Sequence, residues 1–152
     1  MTRKSWGKDD FLIDAKNKIQ DDEAFNILSE LYDFTETYAD KFSFGTGSES
    51  GSVTFKFTDN RAKSGLVSIF TIWSGGKIRF RFANIRNRIG EKYVNLYYQK
   101  LKKVLPSKKW NENILNDGSP GYLLKEIFID KKTVDLFKKT IKEYVNEIKN
   151  EK

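Results

Sequence analysis

The apolar positions in the middle of the chain alternate with polar ones. Val53, Phe55 and Phe57 interleave with Thr54, Lys56 and Thr58. Further on, Ile78, Phe80 and Phe82 interleave with Lys77, Arg79 and Arg81. Successive side chains of a strand point to opposite faces, so each run predicts a strand with one apolar and one cationic side. Between them, residues 66–73 are apolar on both parities except at Ser68 and Thr71, which predicts a central strand covered on one face and in part on the other. Ser74-Gly75-Gly76 follows as a hairpin turn, with glycine where a primed turn needs positive φ. Residues 66–88 thus read as a hairpin that builds core on one side and displays charge on the other. Phe42-Ser43-Phe44 adds a further alternating stretch.

Around this block the period is helical. Phe11, Leu12, Ala15 and Ile19 make a stripe over residues 8–19, with Ser5 or Trp6 leading in and Asp9 and Asp10 in the first turn. Residues 21–39 place Ala24, Phe25, Leu28, Leu31, Tyr32, Thr35, Tyr38 and Ala39 on one face, with Asn26, Glu30, Asp33, Thr37 and Asp40 on the other. After Arg88 a helix carries Val94, Tyr97, Tyr98, Leu101, Val104 and Leu105 inward and ends at Pro106. Residues 106–121 read as a polar linker holding Lys108, Lys109 and Trp110, and residues 122–128 fit a short helix or a strand equally. Asp130 is a plausible N-cap for a last helix with Val134, Phe137, Ile141, Tyr144, Val145 and Ile148 at 3-4 spacing. The expectation is one α+β domain over residues 1–152, an antiparallel meander of three to four strands packed against N-terminal and C-terminal amphipathic helices.

Composition removes chemistry from this picture. The 152 residues include no cysteine and no histidine, which excludes disulfides, thiol nucleophiles, Ser-His catalysis and nearly all zinc or haem sites. No stretch resembles a signal peptide or approaches the roughly 20 apolar residues that span a bilayer, so a cytoplasmic protein without a membrane partner is expected. The loop over residues 45–52, GTGSESGS, lacks the Lys-Ser or Lys-Thr pair and following helix of a P-loop, and reads as a connection between strands whose amides are at most a secondary anion site.

The net charge of +7 conceals a segregation. Residues 21–40 hold seven carboxylates and no Lys or Arg, whereas residues 61–109 hold thirteen Lys or Arg and one carboxylate, Glu91. Cations clustered in this way suit a polyanion. The candidate binding set is Lys56, Arg61, Lys63, Lys77, Arg79, Arg81, Arg86, Arg88 and Lys92, with Trp73 as a stacking surface if its strand turns it to the cationic side. Either Ser68, Phe70 and Ile72 or Ile69, Thr71 and Trp73 must take that side. The reading is a non-enzymatic domain that binds DNA or RNA, or an accessory to an effector that does, with no cofactor and no catalytic or metal residue. The aromatic and glycine pattern of the four-stranded RNA-binding fold is absent.

One alternative is a protein-interaction module in which the acidic helix and the basic sheet meet a partner or a second copy. Another is a metal-dependent nuclease, for which Asp130-Lys131-Lys132 after Ile127-Phe128-Ile129 is the nearest match to an acidic-x-Lys pair on a strand. Asp9, Asp10, Asp14 and the acidic helix offer carboxylates whose positions suggest dipole and solvent roles.

Trp6 with Asp10-Phe11, Gly45-x-Gly47 leading to Gly51-Ser52, the segment Phe70-Thr71-Ile72-Trp73-x-x-Gly76-x-Ile78, and Ser119-Pro120 before Leu123 together resemble a little-characterised prokaryotic domain family. Its usual Pro-Ser-Ile-Pro-like stretch is present only in part, as Ser119-Pro120-Gly121. The resemblance covers most of the chain and implies a domain that occurs alone or attached to larger proteins, some related to restriction or defence. It supplies no catalytic residues.

Overall fold

The computed structural model describes residues 5–105 and 120–151. Its centre is a five-stranded antiparallel sheet in chain order: β1 (Lys41–Phe44), β2 (Ser52–Thr58), β3 (Leu66–Trp73), β4 (Lys77–Phe80) and β5 (Gly121–Leu123). Two helices precede it, α1 (Lys8–Lys18) and α2 (Asp22–Tyr38). Among the described residues α3 (Phe82–Ile89) and α4 (Glu91–Val104) lie between β4 and β5, and α5 (Leu124–Ile127) and α6 (Lys131–Asn150) follow β5. This is the expected α+β meander with flanking helices, with one strand more than expected.

Cross-strand register shows why the helices cover one face. Phe42, Phe55, Phe70 and Phe80 form one row, and Phe44, Val53, Ile72, Ile78 and Tyr122 the next. Phe137 of α6 lies on this surface, its ring centroid 5.4 Å from Phe70, 6.2 Å from Phe80 and 5.2 Å from Phe128. Phe34 of α2 stacks on Phe55 at 5.6 Å. Tyr97 of α4 stacks on Tyr144 of α6 at 4.7 Å, and each buried hydroxyl donates to a carbonyl, Tyr97 to Ile69 and Tyr144 to Tyr93. Burying an aromatic body while satisfying its polar tip in this way avoids the cost of an orphaned hydroxyl.

Several expectations are corrected. Strand β4 ends at Phe80, and Phe82 begins a helix, so Arg86 and Arg88 are helical. The strand alternation through Phe82 hid a helical spacing in Phe82, Ile85 and Ile89, closed by Gly90 at φ +113. The hairpin turn occupies the expected Ser74-Gly75-Gly76 between paired Trp73 and Lys77, with positive φ at Gly76 (+91) and not at Gly75. In α2, Phe34 is buried and Tyr38 is exposed, because Phe34 faces the sheet and Tyr38 lies outside it against Phe34 and the Lys142 ammonium. Helix α1 starts after Gly7 with no side-chain cap, and Trp6 is buried against Gly51, where a Cβ would stand 2.9 Å from its ring. Residues 122–128 are both things at once, β5 running directly into α5. Lys108, Lys109, Trp110 and Ser119 lie outside the described residues. Among the described residues no helix is long and apolar enough to cross a membrane.

Candidate functional site

The rows that alternate with the core rows make up the opposite face. Lys41 pairs with Lys56 and Lys56 with Ser68. Ser43, Thr54, Thr71, Arg79 and Gly121 form the next row, and Ser52, Trp73, Lys77 and Leu123 the third. No position in these three rows is a carboxylate.

Strand β3 resolves its ambiguity by splitting it. The register shifts between Phe55 and Lys56, so that Ile69 is the extra residue of a β-bulge. Thr71 and Trp73 take the cationic side on one flank of the bulge, and Ser68 takes the same side on the other. Ile69 itself is buried, and its carbonyl accepts from the Arg81 amide and the Tyr97 hydroxyl. Beyond the end of β4, α3 takes over as the neighbour of β3, where Asn84 Oδ1 accepts from the Ser68 amide. The helix thereby continues the cationic surface past the end of the strand.

The side chains are arranged around Trp73 and Arg79. The Arg79 guanidinium lies 5.3 Å from the Trp73 ring centroid, and the indole is half-buried. Gly121, in register with Arg79, is what lets the arginine stem lie flat, since a Cβ there would stand 3.1 Å from Arg79 Cγ and 3.3 Å from Nε. Beside them the Thr54 and Thr71 hydroxyls share a hydrogen bond of 2.8 Å. Lys56 and Arg81 are part-buried. Burial, reinforced by Lys41, Arg88 and Arg81, holds the Lys56 ammonium below its ordinary pKa, and burial with Arg79 does the same to Arg81. The Arg81 Nε is buried with no hydrogen-bond partner. Among the described residues none of Lys56, Arg79 and Arg81 has a carboxylate partner. Cations held close together and part-desolvated without counter-charge favour an anion from outside.

The other candidates are dispersed. Lys77 is exposed opposite Trp73, and Arg88 donates to Ser64 Oγ while lying close enough to act on Lys56. Lys63 is exposed on the β2–β3 connection. Arg86 is ion-paired with Glu91. Arg61 pairs with Asp59 at 3.0 Å and donates to the carbonyls of Ile148 and Glu151, while Lys92 pairs with Glu151. Arg61 and Lys92 therefore secure the end of α6, away from the sheet face. Lys41 escaped sequence reasoning, although it has the parity of Ser43 one step before the strand that was recognised.

The acidic helix is engaged within the chain. Glu30 pairs with Lys131 at 2.7 Å and Lys138 at 3.6 Å, and Lys125 pairs with Asp21 at 2.8 Å and Glu23 at 3.1 Å. Asp22, Glu36 and Asp40 are within ion-pair distance of Lys16, Lys8 and Lys149, which leaves Asp33 as the one carboxylate of residues 21–40 outside such a pair among the described residues. Much of the charge that would attract a basic partner is thus already opposed by α6 and its neighbours.

Asp130 accepts from the Thr133 amide at 2.8 Å and caps α6, and those bonds hold its carboxyl below the ordinary range. No group of three or more carboxylates able to hold a metal ion occurs among the described residues. Asp14 differs from its expected solvent role, since it accepts from the Ser74 hydroxyl and pairs with Lys18 at 2.9 Å. Ser74 Oγ in turn accepts from the Gly51 amide, so one network joins α1, the glycine loop and the β3–β4 turn. The Gly51 amide is consumed there. No family model matches the chain, and neither do curated proteins or solved structures.

Proposed function

We propose that the protein is a non-enzymatic nucleic-acid-binding or accessory domain that uses the basic sheet face, acting in the cytoplasm. The observation that carries this reading is the array Lys41, Lys56 and Arg79 on paired strands, extended by Arg81 at the start of α3 and by Arg88, with no carboxylate partner for Lys56, Arg79 or Arg81 among the described residues. Phosphodiesters are the abundant ligands that present negative charge at regular intervals, and neutralising them releases condensed counterions.

Retardation of labelled DNA and RNA by the purified protein across a salt series tests it. Engagement of about five phosphates of a single strand predicts a slope of log K against log salt of about −3 to −4. Lys56→Gln combined with Arg81→Gln should reduce the steepness of that slope by about 1.4. Failure to retard any DNA or RNA at low salt removes the reading.

A further inference from the structure

Resting on the nucleic-acid reading, we propose that the ligand is a single strand, and that one of its bases stacks on the Trp73 indole in place of the Arg79 guanidinium, which turns to an adjoining phosphate. Three observations support this. Lys56 and Arg79 lie on β2 and β4, each paired on both sides within the five-stranded sheet, and of the array only Lys41 lies on an edge strand, so neither β2 nor β4 forms the free two-stranded ribbon that enters a duplex groove. The indole lies on an inner strand beside Lys77 and Arg79, half-buried, with the Arg79 guanidinium 5.3 Å from its ring centroid. Gly121, without a Cβ, makes room for the Arg79 stem that lies across it.

Magnitudes decide between the two occupants of the ring. An exposed cation–π contact is worth a factor of about 2 to 5 in an equilibrium constant. Stacking of a base on an aromatic side chain is worth a factor of about 5 to 150. The base therefore wins the indole, and the displaced guanidinium, which has no carboxylate partner among the described residues, gains a phosphate. Lys56 and Lys41 lie two rows away, about 13 Å along β2 at the rise of a strand, placed for phosphates further along the same chain.

The test is anisotropy at fixed low salt with three labelled probes of about ten nucleotides: oligothymidylate, an abasic strand of the same backbone, and a duplex of the same length. The wild type should bind oligothymidylate about 5 to 150 times more tightly than the abasic strand, and more tightly than the duplex. Trp73→Ala should abolish the preference for bases over the abasic strand, and Trp73→Phe should restore part of it. Arg79→Gln should reduce the steepness of the salt slope by about 0.7, the contribution of one phosphate. Equal affinity of the wild type for oligothymidylate and the abasic strand would overturn the stacking step while leaving the nucleic-acid reading in place. A duplex bound as tightly as the single strand would overturn the choice of strand. Loss of all three would remove the underlying reading itself.

Discussion

Asp14 shows how far one side chain's role depends on what folding brings beside it. In the chain it is an ordinary helix carboxylate. In the fold it receives a hydroxyl from Ser74, sixty residues away, and an ammonium from Lys18. Burial raises its pKa, but the bonds from Ser74, Lys18 and Gly51 outweigh that and hold the carboxyl below its ordinary range. With the folded value depressed, the stabilisation is present above the unfolded pKa of about 3.9 and is lost as pH falls through the folded value. Asp14→Asn should cost about 1.5–3 kcal/mol at neutral pH in urea unfolding, and should flatten the loss of stability below about pH 4. An unchanged acid limb would show that the network contributes nothing to folding.

Among the elements, β3 and α6 divide the work. The bulge at Ile69 turns Ser68, Thr71 and Trp73 to the same side of the sheet, while Val67, Phe70 and Ile72 stay in the core rows. A regular strand would have placed Ser68 on the core side whenever Trp73 faced out. Helix α6 is held at both ends, by the Asp130 cap and by Arg61 on the carbonyls of its last turn, where a cation also meets the helix dipole. Arg61 is thus a structural cation in an otherwise binding-rich stretch of sequence. Arg61→Gln should lower stability by about 1.5 kcal/mol, and should change affinity for oligothymidylate less than about twofold, whereas Arg79→Gln should do the reverse. A large binding defect in Arg61→Gln would move the interface toward the end of α6.

For the whole molecule, the segregated charge of the chain becomes two surfaces of different character. The acidic helix lies against lysines of α6, in exposed pairs that contribute little energy each but cancel the field. Among the described residues the cations Lys56, Arg79 and Arg81 of the basic face have no such compensation, and Lys41, Arg88 and Arg81 act repulsively on Lys56. Burial first, and then the neighbouring cations, depress the folded pKa of Lys56, so the cost of its charge is fully present below that value and relaxes as pH rises toward the unfolded value of about 10.4. Lys56→Met should therefore stabilise the free protein by up to about 0.5 kcal/mol at neutral pH, remove part of the rise in stability toward pH 10, and weaken nucleic-acid binding. Loss of stability with unchanged binding would mean that Lys56 serves the fold instead. A site that costs stability and gains a ligand is the usual relation between function and folding.

The alternations at Val53, Phe55 and Phe57 and at Ile78 and Phe80 were enough to predict the strands, and the 3-4 spacings of α2, α4 and α6 the helices that cover them, because burial of one face imposes its period on the chain. The same parity separated Lys56 and Arg79 from the core. Tertiary structure alone decided the rest. The side taken by Trp73 depended on register and a bulge, which arise from pairing between strands and leave no mark on local period. The start of α3 at Phe82 was masked because strand and helix spacings overlap over so few residues. The separation of Arg61, Arg86 and Lys92 from the sheet cations depended on where Asp59, Glu91 and Glu151 come to lie, since a charge is spent or left available according to neighbours brought from elsewhere in the chain.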